Sequence, residues 1–409
     1  GKLILWHILY NKGFNRQQIE EINACTETNR HWLSDKYVVC VEKDRLSIID
    51  KDKYDITLFC AFQQGYYKSV FSQYNVLPQD KLLYWFCVNY KSLSGIKKFV
   101  ALLFKVLYKL LLKIKIDLFD WRLKCLAKRY AVSGNYDVAI AYAEGWITRF
   151  VSFMSGINRK IAWIHMDYKR VLAYEKGNMD ADIYATFDFV VSPSIFSANS
   201  FADVFPNLAH KMVPIKNILD VDTIKNQALV AIKDSNFDNN NFAITSVGRI
   251  CYEKQFYEIP SIAAELKKMS VDFKWYIIGS GPDNEVAILK DNILKYNVED
   301  CVVLLGAKDN PYPYIAKSNL VALLSVSETF SYVAYEAKIL GVPIISTDFG
   351  AASEIVDSNC GVVAPKSDFH KEIYNIMTNK ELYVGMVDSL KNFQYNNSEL
   401  MTKIDLILN

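Results

Sequence analysis

The chain contains 409 residues, of which 51% are hydrophobic and 14% aromatic, and this is enough for two α/β domains with separate cores. Its 47 basic and 45 acidic residues leave a formal net charge of +2, so the overall charge does not indicate a nucleic-acid partner. The eight cysteines form no C-x-x-C pair and the five histidines are dispersed, which predicts a reducing compartment and no zinc site. The sequence shows neither a signal peptide nor eighteen consecutive apolar residues, so we expect a cytoplasmic protein without a spanning helix.

Short apolar runs of the kind that form buried parallel strands recur along the chain. Two lie near the N-terminus, at Lys2–Leu9 and Tyr54–Cys60. From Tyr136 onward such runs alternate with helical segments, which is the βαβ rhythm of a parallel sheet. They are 137–142, 160–164, 189–192, 212–215, 242–248, 275–278, 302–305, 320–324 and 343–346. Because 234–241 is polar and Asn-rich, we predict a first domain over 1–215, a linker over 216–241, a second domain over 242–385 and a C-terminal helix over 386–409.

A basic amphipathic segment lies within the first domain. Residues 91–129 contain eleven Lys or Arg and only two acidic residues, Asp117 and Asp120. Lys105, Lys109 and Lys113 follow at i, i+4 and i+8 and form one basic stripe on an otherwise apolar helix. Such a helix can lie in the interface of an anionic membrane. The alternative is a core helix of the first domain that presents a solvated lysine face.

Two glutamates eight residues apart bracket a predicted strand-to-helix junction. Glu328 precedes the expected helix start at Ser331–Val333 (residues Ser331, Tyr332 and Val333), and Glu336 lies about one turn inside the helix. A helix start offers free backbone N–H groups and positive dipole character, which suits a diphosphate. Both carboxylates could then accept hydrogen bonds from sugar hydroxyls. The alternative is one exposed glutamate and one that only stabilises the helix start.

A second candidate loop follows the first strand of the second domain. Gly248, Arg249 and Lys254 stand on a loop that leads into a helix near Gln255. Two cations at the carboxyl edge of a parallel sheet would suit a diphosphate, although they could also be surface cations near a turn. Gly279 begins a G-x-G turn after a later strand, a feature that parallel sheets need in any case. In the first domain, His165 ends a strand, a position where a histidine is often structural.

Taken together, residues 135–363 resemble the family 4 retaining glycosyltransferases, whose hallmark is an E-x7-E pair in this context. The resemblance implies a GT-B fold, in which two Rossmann-like parallel-sheet domains face a central cleft. It implies that 1–215 binds the acceptor, that 242–385 binds a nucleotide sugar, and that the last helix crosses back to the first domain. No metal is expected, and no cofactor beyond the nucleoside-diphosphate sugar that serves as donor.

The resemblance also assigns roles to the candidate residues. Arg249 and Lys254 would neutralise the donor diphosphate, and Gly279 would contact the nucleotide through its backbone. His165 would orient the donor sugar, while Glu144 and Glu354 are further candidates for the acceptor and donor sides. Glu328 would hold a hydroxyl of the donor sugar and Glu336 the ribose hydroxyls.

The sequence departs from the family pattern in two places. Thr329 and Ser331 replace the usual glycines beside the first glutamate and the phenylalanine. A glycine-rich loop is expected where Val39–Lys43 stands, and Phe14–Lys36 resembles an insertion. Because glycines allow close approach of the backbone to a ligand, the second departure bears on the acceptor side.

The prediction from sequence is therefore a retaining, metal-independent hexosyltransferase that moves a sugar from a nucleoside-diphosphate donor to a saccharide or lipid-linked acceptor. Surface polysaccharide or glycolipid synthesis at the inner face of the cell membrane is the expected setting. Two alternatives stay open. One is a catalytically inactive scaffold protein of the same fold, and the other is a nucleotide-sugar epimerase, which would need an acid/base cluster in the first domain.

Overall fold

The computed structural model describes residues 2–7, 55–60, 75–76, 80–87, 93–114, 116–142, 144–170, 181–238 and 240–409. The expectations for Phe14–Lys36 and Val39–Lys43 lie outside these residues. The chain divides into two compact units. The first comprises Gly1–Pro193, Ser197–Lys216 and Glu399–Asn409, and the second comprises Ser194–Phe196 and Asn217–Ser398.

The first unit is built on a parallel sheet in which seven strands have the order β3-β2-β1-β4-β5-β6-β7. The strands are β1 Lys2–His7, β2 Asp55–Cys60, β3 Asn75–Val76, β4 Val138–Ala141, β5 Arg159–Trp163, β6 Phe189–Ser192 and β7 Met212–Pro214. The helices are α1 Lys81–Cys87, α2 Gly95–Lys113, α3 Leu118–Gly134, α4 Trp146–Ser152, α5 Ala181–Ala185 and α6 Ile195–Val204, followed by a 3-10 turn at Pro206–Lys211. The six strands predicted in this region agree with those observed to within two residues at each end, and β3 was not predicted.

Apolar side chains from β4, β5 and the flanking helices form the core of the first unit. Ala139 and Ala141 on β4 alternate toward one face of the sheet, where they meet buried residues of α3, α4 and α6. Aromatic rings fill much of this core, including Tyr168, Tyr184 and Phe201, which contact one another edge to face.

Helix α2 differs from this pattern. The basic segment predicted over 91–129 contains α2 and most of α3. The chain turns at 114–117, where Asp117 accepts a hydrogen bond from the backbone N–H of Asp120 and so caps α3. Tyr108 of α2 donates its hydroxyl to the same Asp117 carboxylate at 3.0 Å. Within α2 the buried residue is Ala101, so the interpretation of this segment as a core helix is wrong. No helix in the described part of the chain is long and apolar enough to cross a bilayer.

The second unit is built on a six-stranded parallel sheet of order β10-β9-β8-β11-β12-β13. Its strands are β8 Phe242–Val247, β9 Phe273–Ile278, β10 Val302–Gly306, β11 Leu320–Leu323, β12 Ile344–Ser346 and β13 Gly361–Val363. Its helices are α7 Val221–Ala228, α8 Ile259–Lys268, α9 Asp283–Lys295, α10 Tyr312–Ala316, α11 Tyr332–Ile339, α12 Ala352–Ile355, α13 Phe369–Thr378, α14 Lys380–Lys391 and α15 Asn397–Leu408. The expected linker thus contains helix α7, and α15 belongs to the first unit from Glu399 onward.

Both faces of the second sheet are covered by helices. Alternate residues of one strand enter different cores: Tyr276 and Ile278 of β9 lie in one cluster, whereas Trp275 and Ile277 lie in the other. This double burial explains why the strands are nearly continuous apolar runs in the sequence.

Candidate functional site

The strand order of the second sheet identifies the place where a ligand can bind, at the carboxyl ends of its central strands. β8 lies between β9 and β11, and the chain winds in opposite directions on the two sides of the β8–β11 boundary. In open parallel sheets, ligands bind at the carboxyl ends of the strands on either side of such a switch point. The loops that leave β8 and β11 are joined there, because the Val326 backbone N–H donates to the Glu253 carbonyl oxygen at 3.0 Å.

A buried ion pair connects these two loops. The Lys254 ammonium lies 2.9 Å from Oε1 of Glu328, and both residues are 8% exposed. The Ser325 hydroxyl, at the end of β11, also donates to Glu328 Oε1. The structure therefore brings together two of the residues predicted from sequence, one a cation for a diphosphate and the other a carboxylate for sugar hydroxyls.

Fold stability is a weak explanation for this ion pair. Removing two charges from water costs several kcal/mol each, and the attraction between them roughly offsets that penalty. An apolar pair of similar volume would often be as stable or more stable. Desolvated ionisable groups concentrate at functional sites, because binding and catalysis use their charge.

Arg249 precedes Lys254 on the same loop and is half-buried. Its Nε is buried and has no hydrogen-bond partner among the described residues. Burial raises the pKa of the neighbouring Cys251 thiol, and the Arg249 guanidinium offsets part of that increase. Gly248 lies where a Cβ atom would come within 3.2 Å of the Phe256 ring and reach van der Waals contact with the Lys254 side chain at 3.5 Å, so a side chain at position 248 would press on the Phe256 ring.

The helix after β11 begins as the sequence predicts. Ser331 is the N-cap of α11 and is buried, and its hydroxyl makes no capping hydrogen bond. Tyr332 and Val333 form the first turn, whose backbone N–H groups point toward the helix start. Glu336 is 0% exposed and Glu328 is 8% exposed, which contradicts the alternative that one of the two glutamates is solvent-exposed. The Phe330 ring lies stacked on Tyr335 at 4.7 Å between ring centroids and closes the apolar side of this junction.

The glycine turn after β9 supports the Arg249 loop. The Gly279 N–H donates to the Gly306 carbonyl oxygen at 2.9 Å, so in this structure Gly279 serves the exit of the strand. Gly281 has the stricter role, which the sequence analysis did not assign. A Cβ atom at position 281 would lie 2.0 Å from the carbonyl oxygen of Ile250, the residue after Arg249. Only glycine therefore allows this close approach of the two loops.

Two further residues were missed from sequence. Ser325 orients Glu328 and is not part of the E-x7-E spacing. Gln255 has the unusual positive φ of 56°. Its amide group donates to the Tyr252 carbonyl oxygen, and its Oε1 accepts from Lys366 at 2.7 Å. No pattern in the sequence signals this role, since Lys366 is 111 residues away from Gln255.

The first unit holds His165 on the loop after β5. Its Nε2 lies 3.2 Å from the Tyr142 carbonyl oxygen, and because a carbonyl only accepts, this contact requires the proton on Nε2. The Glu144 carboxylate accepts from the backbone N–H groups of His165 and Met166. Desolvation raises the pKa of Glu144, and those two backbone donors offset part of the increase. The role of His165 toward a donor stays a prediction.

Glu354 has a local role in the second unit. Its carboxylate accepts from the backbone N–H groups of Ile195 and Phe196, which belong to the same unit. Both its oxygens are therefore engaged by backbone donors. Among the described residues, no three His, Cys, Asp or Glu side chains lie close enough together to hold a metal ion.

Comparison with known proteins is consistent with the geometry. The family described as "Glycosyl transferases group 1" matches residues 230–393. A Campylobacter jejuni protein named N-acetylgalactosamine-N,N'-diacetylbacillosaminyl-diphospho-undecaprenol 4-alpha-N-acetylgalactosaminyltransferase is 30% identical over 189 residues, which are 44% of this chain and 47% of that protein. The capsular polysaccharide biosynthesis glycosyltransferase CapM of Staphylococcus aureus is 30% identical over 32% of this chain and 34% of its own. The chain thus spans about half the length of the first relative, and less of the second.

Solved structures resemble the whole chain at low identity. A glycosyltransferase from Rickettsia africae has a TM-score of 0.66 and 12% identity over 99% of this chain and 97% of its own. HepE of Anabaena, solved in complex with UDP, has a TM-score of 0.65 and 14% identity over 100% of this chain and 99% of its own. These likenesses confirm the predicted GT-B class, with two parallel-sheet domains. Over residues 230–393, fewer than half of its residues, the chain is similar to the group 1 glycosyltransferase family.

Proposed function

We propose that this protein transfers a hexosyl group from a nucleoside-diphosphate sugar to a saccharide or lipid-linked acceptor, with retention of the anomeric configuration. The observation that carries the proposal is the buried Lys254–Glu328 pair at the switch point of a six-stranded parallel sheet. The names of the relatives, which concern sugar transfer to a diphospho-undecaprenol carrier and capsular polysaccharide synthesis, support the acceptor class.

The proposed reaction breaks the bond between the anomeric carbon and the diphosphate and forms a bond from that carbon to an acceptor oxygen. In front-face attack, the departing phosphate oxygen receives the acceptor proton. As the carbon–oxygen bond breaks, its electron pair stays with the diphosphate and negative charge grows there before the proton arrives. Stabilising such charge with preorganised cations is usually the largest catalytic contribution. Arg249, Lys254 and the N–H groups at the start of α11 would supply this stabilisation.

Glu328 holds Lys254 in place for this role. An ammonium group has three donors, so Lys254 can keep its bond to Glu328 while it binds a phosphate oxygen. Glu328 can likewise accept from a sugar hydroxyl with its second oxygen. Glu336 would accept from the ribose hydroxyls, and His165 would orient the donor sugar.

The proposed donor nucleotide is UDP, and the proposed setting is the inner face of the cell membrane. HepE of Anabaena has been solved with UDP and with UDP-glucose, and TarM of Staphylococcus aureus with UDP. A lipid-linked acceptor would lie at a membrane surface, which suits a peripheral protein.

A thermal-shift panel tests the donor site. The full chain is heated with UDP, GDP, ADP or dTDP, each alone and as its common sugar conjugate. A ligand that binds only the folded state raises the unfolding midpoint with concentration, and we expect this for UDP. The shift should disappear in Lys254→Ala and fall in Glu336→Gln, whereas Glu299→Gln, an exposed carboxylate outside the site, should retain it.

The panel separates the proposal from its alternatives. No shift with any nucleotide would contradict a donor site and favour the scaffold interpretation. A shift without transfer to any saccharide or lipid-linked acceptor, but with interconversion of two UDP-sugars, would favour an epimerase. A shift that Lys254→Ala leaves unchanged would show that the nucleotide binds elsewhere.

A further inference from the structure

Helix α2 exposes an unusual amount of apolar side chain. Among the described residues, 12 of the 21 exposed large hydrophobic side chains lie between Ile96 and Trp121. Single exposed apolar residues are normal, but a contiguous apolar patch on a folded protein marks an interaction site.

One narrow side of α2 packs against the rest of the first unit, and this packing determines which face of the helix is exposed. Ala101 is buried, and the Phe104 and Tyr108 rings contact Phe86 of α1 edge to face at 4.8 and 4.9 Å between ring centroids. Residues three and four apart share a helix face, so these three residues form one stripe that anchors the helix to its own unit.

The side opposite that stripe is apolar. Phe99, Leu103, Val106 and Leu110 are spaced four, three and four residues apart, and their exposed fractions are 61%, 52%, 49% and 53%. They lie on one face, directed away from the anchoring stripe. The patch continues past the end of the helix with Ile114, Ile116 and Trp121, which are all exposed.

The lysines lie beside this apolar face. At about 100° of rotation per residue, Lys98, Lys109 and Lys113 fall along one flank, between the apolar face and the anchoring stripe. All three are exposed. Two further exposed lysines, Lys124 and Lys128, stand on α3 near Trp121.

We propose that α2 docks on an anionic lipid bilayer by inserting the Phe99–Leu110 face among the acyl chains while its flanking lysines bind lipid phosphates. Interfacial helices combine an apolar face with a basic flank in this way, and each lysine near an anionic surface adds to the attraction. A second copy of the chain fits less well, because pairing two such faces would bring like-charged lysine flanks together. The inference deepens the proposed membrane setting and does not depend on the transfer reaction.

The experiment measures co-sedimentation of the full chain with vesicles of phosphatidylcholine alone or with roughly one-third phosphatidylglycerol. We expect binding to the anionic vesicles to be about 10-fold tighter or more. Leu103→Gln/Leu110→Gln should weaken that binding about 10-fold, by removing apolar area that enters the membrane. Lys98→Glu/Lys109→Glu/Lys113→Glu should weaken it at least as much, and the residual binding should lose its dependence on salt.

Matched controls are available in the second unit. Leu229 and Leu294 are exposed leucines, and Lys290, Lys317 and Lys380 are exposed lysines, so the same substitutions there change hydrophobicity and net charge equally. They should leave vesicle binding unchanged. The proposal would be overturned if the α2 variants bound the anionic vesicles as tightly as the parent. It would also be overturned if the parent formed an oligomer in lipid-free solution and Leu103→Gln/Leu110→Gln dissociated it. The UDP thermal shift of each variant shows separately whether the donor site is intact.

Discussion

Two regions of the molecule depart from the usual distribution of side chains. Charged residues are buried at the carboxyl ends of the strands in the second sheet, whereas apolar residues are exposed on helix α2. At the sheet edge, Lys254, Glu328 and Glu336 are charged residues that lie inside the protein. On α2, Phe99 and Leu103 are large apolar residues that lie outside it. Buried charges and exposed apolar patches are each uncommon in proteins selected only for stability.

The comparison teaches that each departure becomes favourable when a partner of the right chemistry is present. A buried cation that already pairs with one carboxylate can still bind a ligand that carries negative charge, and an exposed apolar face is stabilised in an environment without water. Sequence patterns and local structure are expected to conflict at functional sites for this reason. Three predictions test whether the comparison is sound.

The largest effect is expected from breaking the ion pair. Lys254→Ala leaves Glu328 buried without its cation, so the free energy of unfolding should fall by about 3–5 kcal/mol, and sugar transfer should fall by about 100-fold or more. Lys254→Met/Glu328→Leu should recover most of the stability, because apolar pairs replace buried ion pairs well, but not the transfer. Urea unfolding and a transfer assay measure the two effects. A double variant as unstable as Lys254→Ala would mean that the pair serves the fold.

A smaller effect is expected from Gly281→Ala. The new Cβ would overlap the Ile250 carbonyl oxygen, so we expect about 1–3 kcal/mol of destabilisation and a weaker UDP thermal shift, since the Arg249 loop must move. Gly385→Ala is the control. Gly385 lies inside helix α14 with nothing within 4 Å of the added Cβ, so it should gain up to about 1 kcal/mol. Equal effects of the two changes would contradict a close contact at Gly281.

The smallest effect concerns the half-buried carboxylate of Glu144 in the first unit. Because folding raises the pKa of Glu144 above its ordinary value of 4.5, ionisation of Glu144 opposes folding as the pH rises through that raised pKa. Glu144→Gln can still accept both backbone hydrogen bonds, so it should be more stable than the parent at neutral pH. The difference should vanish below pH 4.5, and urea unfolding as a function of pH measures it. A Gln variant less stable than the parent at every pH would mean that the charge itself stabilises the fold.

Much of the second unit was predictable because its signals are local. β11, the start of α11 and the end of that helix at Ile339 follow from an apolar run, a serine cap and a glycine. The ion pair between Lys254 and Glu328 was not predictable, since the two residues are 74 positions apart in the sequence. Gln255 escaped for the same reason, because its partner Lys366 is 111 residues away.

By itself, the sequence determined the alternation of strands and helices, the two charged loops and the basic helix, since each depends on neighbours a few residues apart. The tertiary structure alone decided that β8 and β11 lie side by side, and so that Lys254 meets Glu328. It also decided that the lysines of α2 flank an exposed apolar face, because packing of Ala101, Phe104 and Tyr108 orients the helix. Periodicity reveals that a helix has faces, whereas only long-range contacts select which face is covered.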